Sequence, residues 1–164
     1  CPIREIVVHG TACSGYWSTA AFLGWMLSGE QAANYNRGIA LFHYLISREG
    51  EITQVIDPRY WVYHSLSGFH DRETVGIELM ATDVGNAGPY TAAQYAALAG
   101  LCDRLMRENP LCRQIVSHNH NGMAYSRQGK SCPGPSFEWT RLVGDLIARK
   151  WPNRLSAEEV IHVA

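Results

Sequence analysis

Alternating and clustered apolar positions divide the chain into short extended runs and two longer helical patterns. "REIVVHG" is a β-branched run bounded by Gly10, which predicts a short buried strand with His9 at its carboxyl end. "FLGWMLSGEQAANYN" places Phe22, Trp25 and Met26 ahead of a Gln- and Ala-rich stretch, predicting a helix that ends near Gly38. In "LFHYLISREGEITQVID" an Arg-Glu-Gly turn separates a run ending at Ser47 from one starting at Glu51, the pattern of a hairpin. "TVGIELMAT" alternates, so Val75, Ile77 and Leu79 face the core and Glu78 faces the other way, where a carboxylate can serve a cleft.

Helical spacing then takes over. "TAAQYAALAGLCDRLMREN" opens with a capping box, Thr91 and Gln94, and repeats apolar residues at Tyr95, Leu98, Leu101, Cys102 and Leu105, which makes Cys102 a core residue. "RQIVSH" is another short strand that delivers a histidine, His118, at its end. Pro135 is expected to open the helix "SFEWTRLVGDLIARKW", and Ser156 with Glu159 to cap a short final turn. There are no repeats or convincing linkers, and a length of 164 residues suits one domain over 1–164.

Composition narrows the classes. With 46% hydrophobic and 18% charged residues and a formal charge of -1, nothing attracts the chain to nucleic acid or an anionic membrane. No apolar run approaches a membrane span, and "CPIREIVVHG" does not read as a signal peptide, so a soluble chain is expected. Cys1 at a lipidated start is a weaker reading than a trimmed one, because a strand follows within a few residues. The five cysteines are odd in number and irregular in spacing, which argues against a disulfide framework.

The chemistry gathers at two strand ends and a turn. If the strands of "IVVH" and "IVSH" are neighbours, His9 and His118 converge at one sheet edge, where open α/β folds place their sites. Cys132 precedes the rigid "PGP" corner. Two imidazoles and a thiolate would leave one tetrahedral position of a zinc ion open, as a hydrolytic site requires. On spacing alone a solvated or core-satisfied histidine and an inert thiol are the more usual reading, and a metal-free hydrolase with Cys132 as nucleophile and His118 as base is a further rival.

Taken in order, "IVVHGTA", "FHYLISREGEI", "VGIELM", "YTAAQYAAL" and "IVSH…GKSCPGPSFEW" resemble the zinc-dependent N-acetylmuramoyl-L-alanine amidases of type 2, which include phage endolysins, cell-wall amidases and peptidoglycan recognition proteins. The resemblance implies an α/β single domain with a central, mostly mixed sheet flanked by helices. It implies one Zn²⁺ per chain held by His9, His118 and Cys132, with Lys130 as oxyanion stabiliser. The family tyrosine before the "H-[FY]-L-I" strand is replaced by Phe42, so the chain follows the glutamate pattern, with Glu78 as proton carrier. One departure is the thirteen-residue segment Asn119 to Ser131 between the late ligands, which carries a rival histidine, His120.

His43 is expected to be a packed or hydrogen-bonded core group, His64 a substrate-binding loop residue, and His70 and His162 solvated. Trp17, Trp61 and Tyr63 read as core more readily than as the floor of a groove. The implied reaction cleaves the amide between N-acetylmuramic acid and L-alanine, by a monomer acting in wall lysis or remodelling from the periplasm or the outside. Two alternatives stand beside it: a receptor that binds peptidoglycan without cleaving it, and a recycling amidase for anhydro-muropeptides.

Overall fold

The computed structural model describes residues 2–12, 17–28, 42–65, 68, 70–81, 88–119, 132–149 and 161–162. Within them the chain runs β1 (Glu5–Gly10), α1 (Thr19–Met26), β2 (Tyr44–Ile46), β3 (Ile52–Gln54), a 3₁₀ turn (His70–Arg72), β4 (Thr74–Leu79), α2 (Ala92–Glu108), β5 (Gln114–Ser117), α3 (Trp139–Ala148) and β6 (Ile161–His162). The strands form one sheet in the order β3-β2-β4-β1-β5-β6. Only β2 and β3 are antiparallel; every other pair is parallel, giving the mixed α/β sheet expected.

Strand alternation sorts the two faces. Ile6 and Val8 of β1, Ile77 and Leu79 of β4 and Ile115 of β5 pack against Leu98, Leu101 and Leu105 of α2 and Leu142 and Leu146 of α3, all essentially buried. Losing one of these leucines to alanine costs about 2–5 kcal/mol, which is why this two-helix layer fixes the sheet. The opposite face carries Leu45, which joins Phe42 and Met80 against Phe22 and Met26 of α1. Phe42 stacks on Phe22 at 6.1 Å between ring centroids, so the residue without a hydroxyl is part of this apolar cluster.

Local chemistry sets the element ends. The Arg-Glu-Gly hairpin forms as expected, and Gly50 takes φ +84° there, with the space where a Cβ would stand lying 2.8 Å from the Ala93 carbonyl oxygen. Thr91 caps α2: its hydroxyl accepts from Gln94 N at 3.1 Å, and Gln94 Oε1 accepts from Thr91 N at 3.0 Å. Two helix boundaries differ from the pattern. α1 ends at Met26, short of Gly38, and the chain from 29 to 41 lies outside the described residues. α3 begins at Trp139 instead of Pro135, because the Cys132–Pro133 corner is followed by turn geometry, with Gly134 at φ 103°, and Glu138 N is held by the Tyr95 hydroxyl at 2.6 Å. The expected cap at Ser156 and Glu159 lies outside the described residues; beyond it the chain adds β6 beside β5, which the apolar pattern did not announce.

Candidate metal centre

β1 lies between β4 and β5, and both pairings are parallel. His9 is paired in register with Glu78, so both side chains leave the sheet on the face opposite α2 and α3. His118 follows β5 directly, and its amide donates to the Val8 carbonyl at 3.3 Å, which draws it alongside His9. Cys132 arrives from the Pro-Gly-Pro corner and accepts a hydrogen bond from Gly10 N at 3.4 Å. The juxtaposition of two strand ends and a turn is therefore the one the sequence anticipates.

The donor atoms converge. His9 Nδ1 lies 3.1 Å from His118 Nδ1 and 3.8 Å from Cys132 Sγ, and one atom from each of the three residues falls within 4.8 Å of the others. All three are buried. Burial, reinforced by the neighbouring imidazoles, holds His9 well below its ordinary pKa, and burial lowers His118 to about 4, with a hydrogen bond to the Ser65 backbone acting against it. Both rings are thus neutral at physiological pH, the form that offers a lone pair to a metal.

Burial raises the Cys132 thiol well above its ordinary value; Glu78 adds to that, and the Gly10 N–H opposes it. Burial also pushes the Glu78 carboxyl up to about 8, even though the residue keeps some exposed surface at the open face of the sheet. Two neutral imidazoles and a thiol, packed beside a carboxyl, fit a divalent cation of zinc's ligand preference: its charge would relieve the penalty on the thiolate and suits the softness of an N₂S set. The same shift makes a metal-free Cys132 a poor nucleophile.

His64 is not in the groove. Its side chain has no exposed surface, and its Nδ1 lies 3.0 Å from His9 Nε2 while its Nε2 lies 2.8 Å from Thr74 Oγ1. The expectation that it binds substrate is corrected on that burial: both ring nitrogens face protein. His43 is fully buried, its Nδ1 accepting from Gly76 N at 3.0 Å and its Nε2 donating to the Tyr60 carbonyl at 2.9 Å, the hydrogen-bonded core role expected of it. His70 is partly exposed, and its Nε2 pairs with Glu5 Oε1 at 2.6 Å. Trp61 is 56% exposed rather than core, with the Arg72 guanidinium 5.9 Å from its ring centroid. Lys130, His120 and the rest of 120–131 lie outside the described residues, as does the His162 side chain.

Residues 1–135 match the family model described as N-acetylmuramoyl-L-alanine amidase. A 1,6-anhydro-N-acetylmuramyl-L-alanine amidase AmpD of Citrobacter freundii is 35% identical over 153 residues, covering 84% of this chain and 77% of that protein. The protein of the same name from Escherichia coli K12 is 33% identical over 154 residues, covering 84% and 79%. A crystal structure of an AmpD selenomethionine derivative has the same fold, with a TM-score of 0.71 at 24% identity over 89% of this chain and 86% of that one. The names of both sequence relatives specify the 1,6-anhydro-N-acetylmuramyl form and not intact wall. The expected place of action, on the wall from the periplasm or the outside, is withdrawn on that finding.

Proposed function

The chain belongs to the N-acetylmuramoyl-L-alanine amidase family, and on that premise we propose that it is a zinc-dependent recycling amidase, cleaving the amide between 1,6-anhydro-N-acetylmuramic acid and L-alanine in muropeptides released from peptidoglycan. The enzyme is an amidase of peptidoglycan material; the anhydro form of the substrate is supported by the curated relatives, and lysis of intact wall has no comparable support. The observation that carries the chemistry is the meeting of His9, His118 and Cys132 within 4.8 Å, beside a carboxyl whose pKa is raised to about 8.

Each residue has a role. His9, His118 and Cys132 would hold one zinc ion, which when bound supplies Lewis acidity toward the amide carbonyl and toward water. Glu78 takes the proton of the attacking water and delivers it to the leaving amine of L-alanine, which cannot depart as an anion. A carboxyl poised near neutral pH by burial suits both transfers. Lys130, two residues before Cys132 in the chain, stabilises the oxyanion that forms on the scissile carbonyl. The reaction is assigned to one monomeric catalytic domain over residues 1–164. Retention of His9, His118, Cys132 and Glu78 together favours this reading over a receptor that only binds.

The test compares substrates. Purified 1,6-anhydro-muropeptide and purified sacculi are digested side by side, and the freed stem peptides are identified by mass. Faster release from the anhydro-muropeptide is expected. Equal or faster release from sacculi would overturn the recycling assignment, and release from neither would overturn the amidase chemistry.

A further inference from the structure

His64 lies below the donor cluster, in a segment that sequence reading assigned to the substrate. Three independent contacts hold it. Its backbone N–H and that of Ser65 both donate to Asp71 Oδ1, at 3.1 and 2.7 Å, and Asp71 is completely buried. Its ring lies against β4 at Gly76, where an added Cβ would stand 2.8 Å from His64 Cγ and 2.9 Å from Nδ1. Its Nε2 meets Thr74 Oγ1 at 2.8 Å.

The direction of the hydrogen bonds follows from counting protons. The Thr74 hydroxyl has one proton and donates it to the His70 carbonyl at 3.1 Å, an oxygen that can only accept. Thr74 Oγ1 therefore accepts from His64, which places the His64 proton on Nε2 and leaves Nδ1 as an acceptor. The 3.0 Å contact between His64 Nδ1 and His9 Nε2 then requires the His9 proton on Nε2. His9 Nδ1, the atom 3.1 Å from His118 Nδ1 and 3.8 Å from Cys132 Sγ, is left with its lone pair aimed into the donor cluster.

We infer that His64, oriented by Thr74 and seated by Gly76, is a positioning residue that fixes the tautomer and ring plane of His9 so that Nδ1 is presented to the metal. The inference rests on the metal reading proposed above. The His64 imidazole does this by accepting from His9 Nε2, the way an outer partner fixes the tautomer and orientation of a metal-binding histidine, and the buried Asp71 carboxyl lies 3.9 Å behind it from His64 Nε2.

Zinc affinity is measured by competition with a chromophoric chelator for the wild-type chain and for His64→Phe, His64→Asn and Thr74→Val. The asparagine places an amide oxygen where Nδ1 stands and so keeps the acceptor for His9. Removing the partner of a metal-binding histidine weakens the metal by about 10–100-fold, and that loss is expected for His64→Phe, with recovery of most of it in His64→Asn and a smaller loss in Thr74→Val. Long-range ¹⁵N–¹H spectra of the metal-free wild-type chain supply a readout independent of folding in the variants, and both His9 and His64 should carry their protons on Nε2. A His9 proton on Nδ1, or equal zinc affinity in wild type and His64→Phe, would overturn the positioning role alone. A wild-type chain that binds no zinc would overturn the metal reading and this inference with it.

Discussion

At Glu78 a single side chain is shaped by two surroundings: the sheet that raises its pKa to about 8 and the Cys132 sulfur whose ionisation it opposes. Glu78→Gln keeps the shape and removes the proposed proton carrier, so zinc content should stay at the wild-type level while turnover falls by about 10²–10⁴-fold. Cys132→Ser should lose zinc and turnover together. Metal analysis beside the release assay separates the two, and a fully active Cys132→Ser protein would remove the donor set from the mechanism. Residues at strand ends were legible before the fold: His9, His118 and Glu78 follow from period-two alternation and from where each strand stops. His64 was not, because nothing in "VYHSLSG" states that Asp71 turns the loop inward or that Gly76 leaves room for a ring.

At the scale of elements, the hairpin and α2 brace one another. The Thr91 hydroxyl accepts from Gln94 N and donates to the Arg48 carbonyl at 2.7 Å, so one residue caps the helix and ties it to the hairpin turn, whose Gly50 packs on Ala93. Thr91→Ala removes both bonds and should lower the unfolding free energy by about 1–2 kcal/mol in denaturant titration, with zinc affinity unchanged because α2 lies on the far face of the sheet. A loss well below that range would show that water replaces the cap. The capping box and its helix were readable from a local pattern. The start of α3 was not, since the corner after Cys132 is held by Tyr95 and Tyr90, the latter donating to the Pro133 carbonyl at 2.7 Å from another part of the chain.

Across the whole molecule the buried titratable groups pull stability in opposite directions with pH. Glu78 binds its proton more tightly folded than unfolded, so its contribution is present at low pH and is lost as pH rises from its ordinary 4.5 through about 8. His9, His43, His64 and His118 all have lowered values, so unfolding takes up protons below 6.5 and stability falls as pH drops through that point. The metal-free protein should therefore melt highest at about pH 7 and decline on both sides. Melting temperatures in a chelator across pH 5.5–8.5 check this, and Glu78→Gln should flatten the alkaline limb; a steady rise from pH 7 to 8.5 in the wild type would contradict the shift at Glu78.

The sequence by itself determined β1 to β5, the hairpin and the capped helix, because each rests on short-range periodicity or turn chemistry, and it nominated His9, His118, Cys132 and Glu78 through residue type and the resemblance to a family. Tertiary structure alone decided that β1 lies between β4 and β5, which is what brings residues 9, 78, 118 and 132 to one place. It also decided the work of each histidine. A histidine's role depends on which atom faces each ring nitrogen, and at His64 those partners come from β1 and β4, elements separated from it and from each other along the chain.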